Sequence, residues 1–161
     1  MTLELIGSGA RALGRAMACI AILHGLVACG PAEAPPSLRL DASDARVRTL
    51  VGTKDASGQL TSSGEAGFLM FGPYVKWPKG KYKVVISGTI LEGSGELGWI
   101  DIAADEGKRR LVIAPLRQEA PGTLATVRLN FDDPVDKLEV RVYVENNVKV
   151  AIKGYEISPV N

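Results

Sequence analysis

Histidine is almost missing from this chain. The 161 residues contain one, His24, and only two cysteines, Cys19 and Cys29. All three lie in the first 29 residues, so the chain beyond Cys29 has neither imidazole nor thiol. That part cannot build Ser/His/Asp or Cys/His nucleophilic machinery, a cysteine or histidine zinc site, or a disulfide framework. Aromatic residues are sparse at 6%, with two tryptophans, Trp77 and Trp99, so the place of each carries weight. Neither sign of charge dominates: 19 basic residues face 18 acidic ones, which gives no ground for a nucleic-acid partner. Long apolar runs are absent too. The longest, Ala16 to Ala28, falls short of the roughly 20 residues that cross a bilayer as a helix.

What is present at the amino end has a different use. Arg11 and Arg15 precede the apolar run, which ends in "LVAC", Leu26 to Cys29, after which the composition turns polar and rich in proline. A basic segment, a short apolar stretch and small residues at its end read as a secretory signal. The motif resembles the lipobox of bacterial lipoproteins, with Leu26 at its first position, small Ala28, and Cys29 as the lipid acceptor. The resemblance implies cleavage after Ala28, a diacylated Cys29 thiol and a chain held durably at a membrane surface. An ordinary cleaved signal, or an uncleaved anchor with Cys29 incidental, is the alternative. Gly30 follows Cys29 where an aspartate would imply retention at the inner membrane. The expected address is therefore the bacterial cell envelope and, in a cell with an outer membrane, the periplasmic side of that membrane. Maturation would remove Arg11, Arg15 and Glu4, leaving 17 basic and 17 acidic residues.

Three segments are expected: residues 1–28 as the removed signal, 29–36 as the lipidated cysteine with a proline-rich tether, and 37–161 as one domain. Within the domain no stretch shows convincing helical periodicity, whereas many short runs alternate with period two between glycine, proline, aspartate or asparagine. "ATVRLNF" places Ala125, Val127, Leu129 and Phe131 on one face, and "LEVRVYVE" does the same with Leu138, Val140, Val142 and Val144. Further strands are read at "SLRLDA", "VRTLVG", "GFLMF", "YKVVISGTI", "GWIDIAA", "RRLVIAPL" and "VKVAIKGYEI". Residues 52–67 read as a long loop with at most one weak strand. The fold class is all-β: eight or nine strands in an antiparallel two-sheet sandwich of jelly-roll or related type.

The stretch "FGPYVKWPKGKYKVVI" crowds aromatics, prolines and glycines before a strand. Pro73 and Pro78 force bends or edges, and "WPKG" suits a tight turn. Phe71, Tyr74, Trp77 and Tyr82 either plug the end of a sandwich or leave a ring exposed for a sugar. The spacing of Gly72, Pro73, Tyr74, Pro78, Gly80 and Tyr82 resembles a segment of galactose-binding-like β-sandwich modules, which include carbohydrate-binding modules. The similarity extends from Phe68 to Val160. It implies the fold and, more weakly, a carbohydrate ligand.

For a ligand, the outward faces of the strands are the place to look. If Ile100 and Ile102 point inward, Trp99 and Asp101 point out, as do Arg128, Asn130, Arg141 and Tyr143. With Trp77 they offer aromatic surface, guanidinium forks and an amide for sugar hydroxyls or a carboxylate. A solvated sheet face laced with ion pairs is the plainer explanation. The acidic pairs Asp105/Glu106 and Asp132/Asp133 raise catalysis and a structural calcium, but adjacent carboxylates in turns more often cap strands. The expectation is a non-enzyme without a cofactor, binding a polysaccharide. The alternative is an adaptor that docks on another envelope protein.

Overall fold

The computed structural model describes residues 35–160; the expected signal, Cys29 and most of the tether lie outside the described residues. Among the described residues there are eleven strands and no helix. They are β1 (Leu38–Asp41), β2 (Gly52–Lys54), β3 (Leu60–Ser62), β4 (Gly67–Met70), β5 (Pro73–Trp77), β6 (Gly80–Glu92), β7 (Gly98–Ala104), β8 (Arg109–Pro115), β9 (Thr123–Phe131), β10 (Val135–Val144) and β11 (Lys149–Pro159). They form two antiparallel sheets. A six-stranded sheet runs β2-β3-β11-β6-β9, with β1 also on β11, and a five-stranded sheet runs β4-β10-β7-β8, with β5 also on β10. The all-β sandwich expected from alternation is the fold.

The core is made where the inner faces meet. Val84, Ile86, Val127, Leu129 and Ile157 come from the six-stranded sheet, and Leu69, Ile100, Ile102, Leu138, Val140 and Val142 from the other. Each such side chain contributes on the order of 1.5–3 kcal/mol when removed from water, which is why the alternating positions in β9 and β10 determine which way the strands face.

Three segments differ from the expectation and together raise the count from eight or nine strands to eleven; one is Pro73–Trp77, read as a bend, which pairs with β10 as the strand β5. "VRTLVG" is not a strand: it is irregular, with Arg48 bridging to Phe71 and Leu50 left 71% exposed. Residues 52–67 instead hold a short hairpin, β2 on β3, whose turn is built by Asp55 accepting bonds from Ser57 and Gln59. Small, polar hairpin strands show little hydrophobic alternation, so this one left no period to read.

Trp77 is buried, only 5% exposed, and packs edge-on against Tyr82 with ring centroids 5.6 Å apart; Phe131 lies 5.7 Å beyond Tyr82. The three rings close one end of the sandwich beneath the β5–β6 turn. Trp77 as a ligand-stacking residue is corrected here: its ring is spent on the core.

Candidate functional site

Strand pairing brings four of the expected residues together on the outer face of the five-stranded sheet. Tyr143 on β10 lies opposite both Phe68 on β4 and Trp99 on β7, and Arg141 lies opposite Asp101. The Trp99 and Tyr143 rings stack with centroids 5.0 Å apart and planes 2° from parallel. Phe68 meets both edge-on, at 5.5 and 5.6 Å. From β8, on the opposite side of β7, the Arg110 guanidinium covers Trp99 at 4.8 Å. Both faces of Trp99 are thus occupied, one by a ring and one by a cation. It offers a ligand an edge, not a free face.

Below the aromatic row the face is ionic. Arg141 donates through Nε to Oδ1 of Asp101 at 2.7 Å and through Nη2 to Oδ2 at 2.6 Å, and Arg110 donates through Nε to Oδ2 at 2.7 Å. Asp101 is fully buried beneath the two guanidiniums. A carboxylate already holding three charge-assisted bonds has little left for a ligand. Asp101 is therefore corrected from an exposed ligand group to a buried pivot. Gly107 lets this arrangement form: a β-carbon there would sit 2.5 Å from Nη1 of Arg141, and its φ of +77° also favours glycine. Glu139, outward by alternation, is 3% exposed, and Oε1 has no hydrogen-bond partner among the described residues. Burial pushes its carboxyl above the ordinary range, against the opposing influence of Tyr74 and Arg141.

Arg128 and Asn130 do not join this cluster. They point outward from β9, which belongs to the other sheet, and Asn130 donates to Asp132. Alternation along a strand gives the face of that strand but not the sheet it joins. Of the four carboxylates considered for calcium, Asp105 pairs with Arg109, Glu106 with Lys137, and Asp132 accepts from Asn130. No group of three or more histidine, cysteine or acidic side chains is placed to hold a metal among the described residues.

The open space next to Trp99 is a cavity of about 550 Å³ between the β6–β7 loop and the end of β8. Trp99, Leu97, Ile113 and Pro115 supply its apolar walls, with Glu96 and Arg117 at its polar edge. Ile113 is 52% exposed there. The size and the mix of apolar wall and few charged groups suit a small organic ligand. Only Trp99 of these residues was signalled by alternation. Phe68, hidden in the apolar run "GFLMF", and Arg110, in a doubled arginine, carried no signal separable from core and surface. Glu96 and Arg117 lie in loops, far apart in sequence.

No protein-family model matches the chain, and no curated protein does. Solved structures that share its architecture include two. One is the C-terminal CBM6 of LamC, a marine laminarinase from Zobellia galactanivorans, with 12% identity and a TM-score of 0.53, covering 76% of this chain and 99% of that module. The second is a glycosylation-associated protein complex, Gap123, from Streptococcus agalactiae, with 14% identity and a TM-score of 0.50, covering 76% of this chain and 25% of that one. The likeness is one of fold: a carbohydrate-binding-module-like β-sandwich.

Proposed function

We propose that this protein is a lipoprotein of the bacterial cell envelope, anchored through Cys29, whose sandwich binds a polysaccharide without catalysis. The observation that carries the reading is the cavity beside Trp99. Its apolar walls can take the carbon-bound hydrogens of a sugar ring, while Arg117 and Glu96 can exchange hydrogen bonds with hydroxyls. The fold shared with a carbohydrate-binding module supports the class of ligand but not its identity. The non-catalytic part of the reading rests on Asp101, whose two oxygens already take three bonds from Arg141 and Arg110 and so are not free to act on a substrate.

A second reading is favoured by one observation: Ile113, half-buried Phe68, Tyr143 and Trp99 form an apolar strip edged by Arg110 and Arg117, as at a protein interface. In that case the domain is an adaptor on another envelope protein. A glycan-array screen of the domain separates the two. Retention of a defined glycan that is lost in Trp99→Ala and weakened in Arg117→Ala supports the sugar site. A folded domain that retains nothing, laminarin included, moves the assignment to the adaptor.

A further inference from the structure

The balanced charge of the chain conceals a polarised one. One end of the sandwich carries the β5–β6, β7–β8 and β9–β10 turns and the start of β1, because Leu38 pairs with Ile157 and Val160 donates to the Lys81 carbonyl at 2.9 Å. Lys76, Lys79, Lys81 and Lys83 ring this end, three of them exposed. Lys76 faces out from the five-stranded sheet, Lys79 lies in the β5–β6 turn, and Lys81 and Lys83 face out from the six-stranded sheet. None is ion-paired among the described residues. Lys83 lies directly opposite Arg128, with Ser158 on its other side. Like charges in register across a strand pair repel unless an anion sits between them. Acidic groups at this end offset the lysines only in part: Asp105 and Glu106 are taken by Arg109 and Lys137, Asp132 and Asp133 occupy the neighbouring turn, and exposed Asp136 and Glu156 lie on β10 and β11, Glu156 in the same surface groove as Lys83. The opposite end has the reverse balance. Glu65, Glu96 and Glu145 are without ion-pair partners among the described residues, and Lys149 and Arg117 are paired with Glu92 and Glu119.

The chain enters the domain at the lysine end. Leu38 is nine residues beyond Cys29, a span that reaches at most about 30 Å even fully extended. With Cys29 acylated, that end stays close to the bilayer at high effective concentration, where a few lysines suffice to bias its orientation. We infer that Lys76, Lys79, Lys81 and Lys83, with Arg128, form a docking surface for anionic lipid headgroups. Docking turns the Trp99 cavity, which lies at the acidic end, away from the membrane and toward soluble or wall-bound ligands. The inference rests on lipidation at Cys29 for its tether but on the described domain for its charge.

The test uses the full mature lipidated chain in two kinds of vesicle, equimolar phosphatidylethanolamine–phosphatidylglycerol and pure phosphatidylcholine. A fluorophore is placed on Asp133→Cys at the lysine end or on Ser94→Cys at the far end. With Cys29 acylated, each introduced thiol is the only free one. A headgroup-borne quencher reports proximity. The expected result is that the Asp133 label is quenched several-fold more than the Ser94 label on the anionic vesicles. The difference should collapse on phosphatidylcholine, in K76E/K79E/K81E/K83E, and in about 0.5 M salt, where screening acts within about 4 Å. Equal quenching of the two labels, or a difference that survives charge reversal in a variant with a wild-type melting curve, overturns the docking surface. The mass of the mature amino terminus tests lipidation separately. Should the acyl chains be absent, sedimentation of the unacylated chain with the same vesicles still decides: each lysine contributes about fivefold to retention on the anionic surface, and no retention overturns the proposal.

Discussion

Replacing Asp101 by asparagine should be among the most damaging conservative changes on the outer face. Asp101 is wholly buried, and its two oxygens take three bonds of 2.6–2.7 Å from Arg141 and Arg110. The two arginines differ in what they lose. The Arg110 side chain is 47% exposed and can turn to water, so its bond is worth no more than about 1 kcal/mol. The Arg141 side chain is 12% exposed and packed over Phe68 at 5.3 Å, so without Asp101 its charge is left buried beside only Glu139. Removing one partner of a buried pair costs about 3–5 kcal/mol; the bidentate geometry argues for the upper part, and the residual exposure and Glu139 for the lower, giving about 3 kcal/mol. At roughly 3–5 °C per kcal/mol for a domain of this size, the melting point should drop by about 10–15 °C. Urea unfolding of wild type, Asp101→Asn, Arg141→Gln and the double variant measures it. The double variant should recover about 2 kcal/mol relative to the sum of the singles, because it removes the stranded charge. A loss below about 1 kcal/mol in Asp101→Asn, with additive singles, would refute the buried pivot.

Three further outcomes follow from the same geometry. Burial raises the Glu139 carboxyl above its ordinary value of 4.5, so its contribution to stability is full below that pH and is lost as pH rises through the folded-state value. Glu139→Gln should therefore match wild type in stability near pH 4 and gain on it progressively toward pH 7, measured by denaturant midpoints; a constant difference contradicts the assignment. Trp77→Ala opens the aromatic plug and should cost about 3–5 kcal/mol in chemical unfolding, whereas an unchanged midpoint would put the ring outside the core. EDTA should leave the melting curve unchanged, since the turn carboxylates Asp105 and Glu106 already hold Arg109 and Lys137; a drop would reveal a cation site that these pairs do not account for.

Strand alternation made most of β9 and of β10 from Leu138 onward readable because one face of each is apolar and packs on the opposite sheet, whereas the start of β10, Val135–Lys137, carries a register shift and a positive φ at Lys137 and shows no such period. The bend at "WPKG" was readable because two prolines and a glycine leave the chain few other paths, but the burial of Trp77 was not, since the spacing of aromatics does not say which ring a distant strand such as β9 helps to cover. Asp101 and Glu139 broke the rule that polar alternating positions face water. They are outward in the strand sense, yet arginines and a tyrosine from neighbouring strands cover them, and such cover depends on pairing partners that a single strand does not reveal. The grouping of Arg128 and Asn130 with Trp99 failed on the same point, sheet membership. Charge polarity was invisible for a different reason: a total balances lysines and glutamates that the fold sends to opposite ends.

The central claim is that the cavity beside Trp99 holds a sugar, and Trp99 can report on it directly. The chain has two tryptophans, and the other, Trp77, is buried in the core. Trp77→Phe therefore leaves a domain whose indole emission comes from the cavity wall alone. Titrating it with the best glycan from the array should give a saturable change in that emission, abolished in Arg117→Ala or shifted to much higher glycan concentration. A flat titration, with binding still detected by calorimetry, would place the sugar elsewhere, and no binding by either readout would contradict the carbohydrate reading itself.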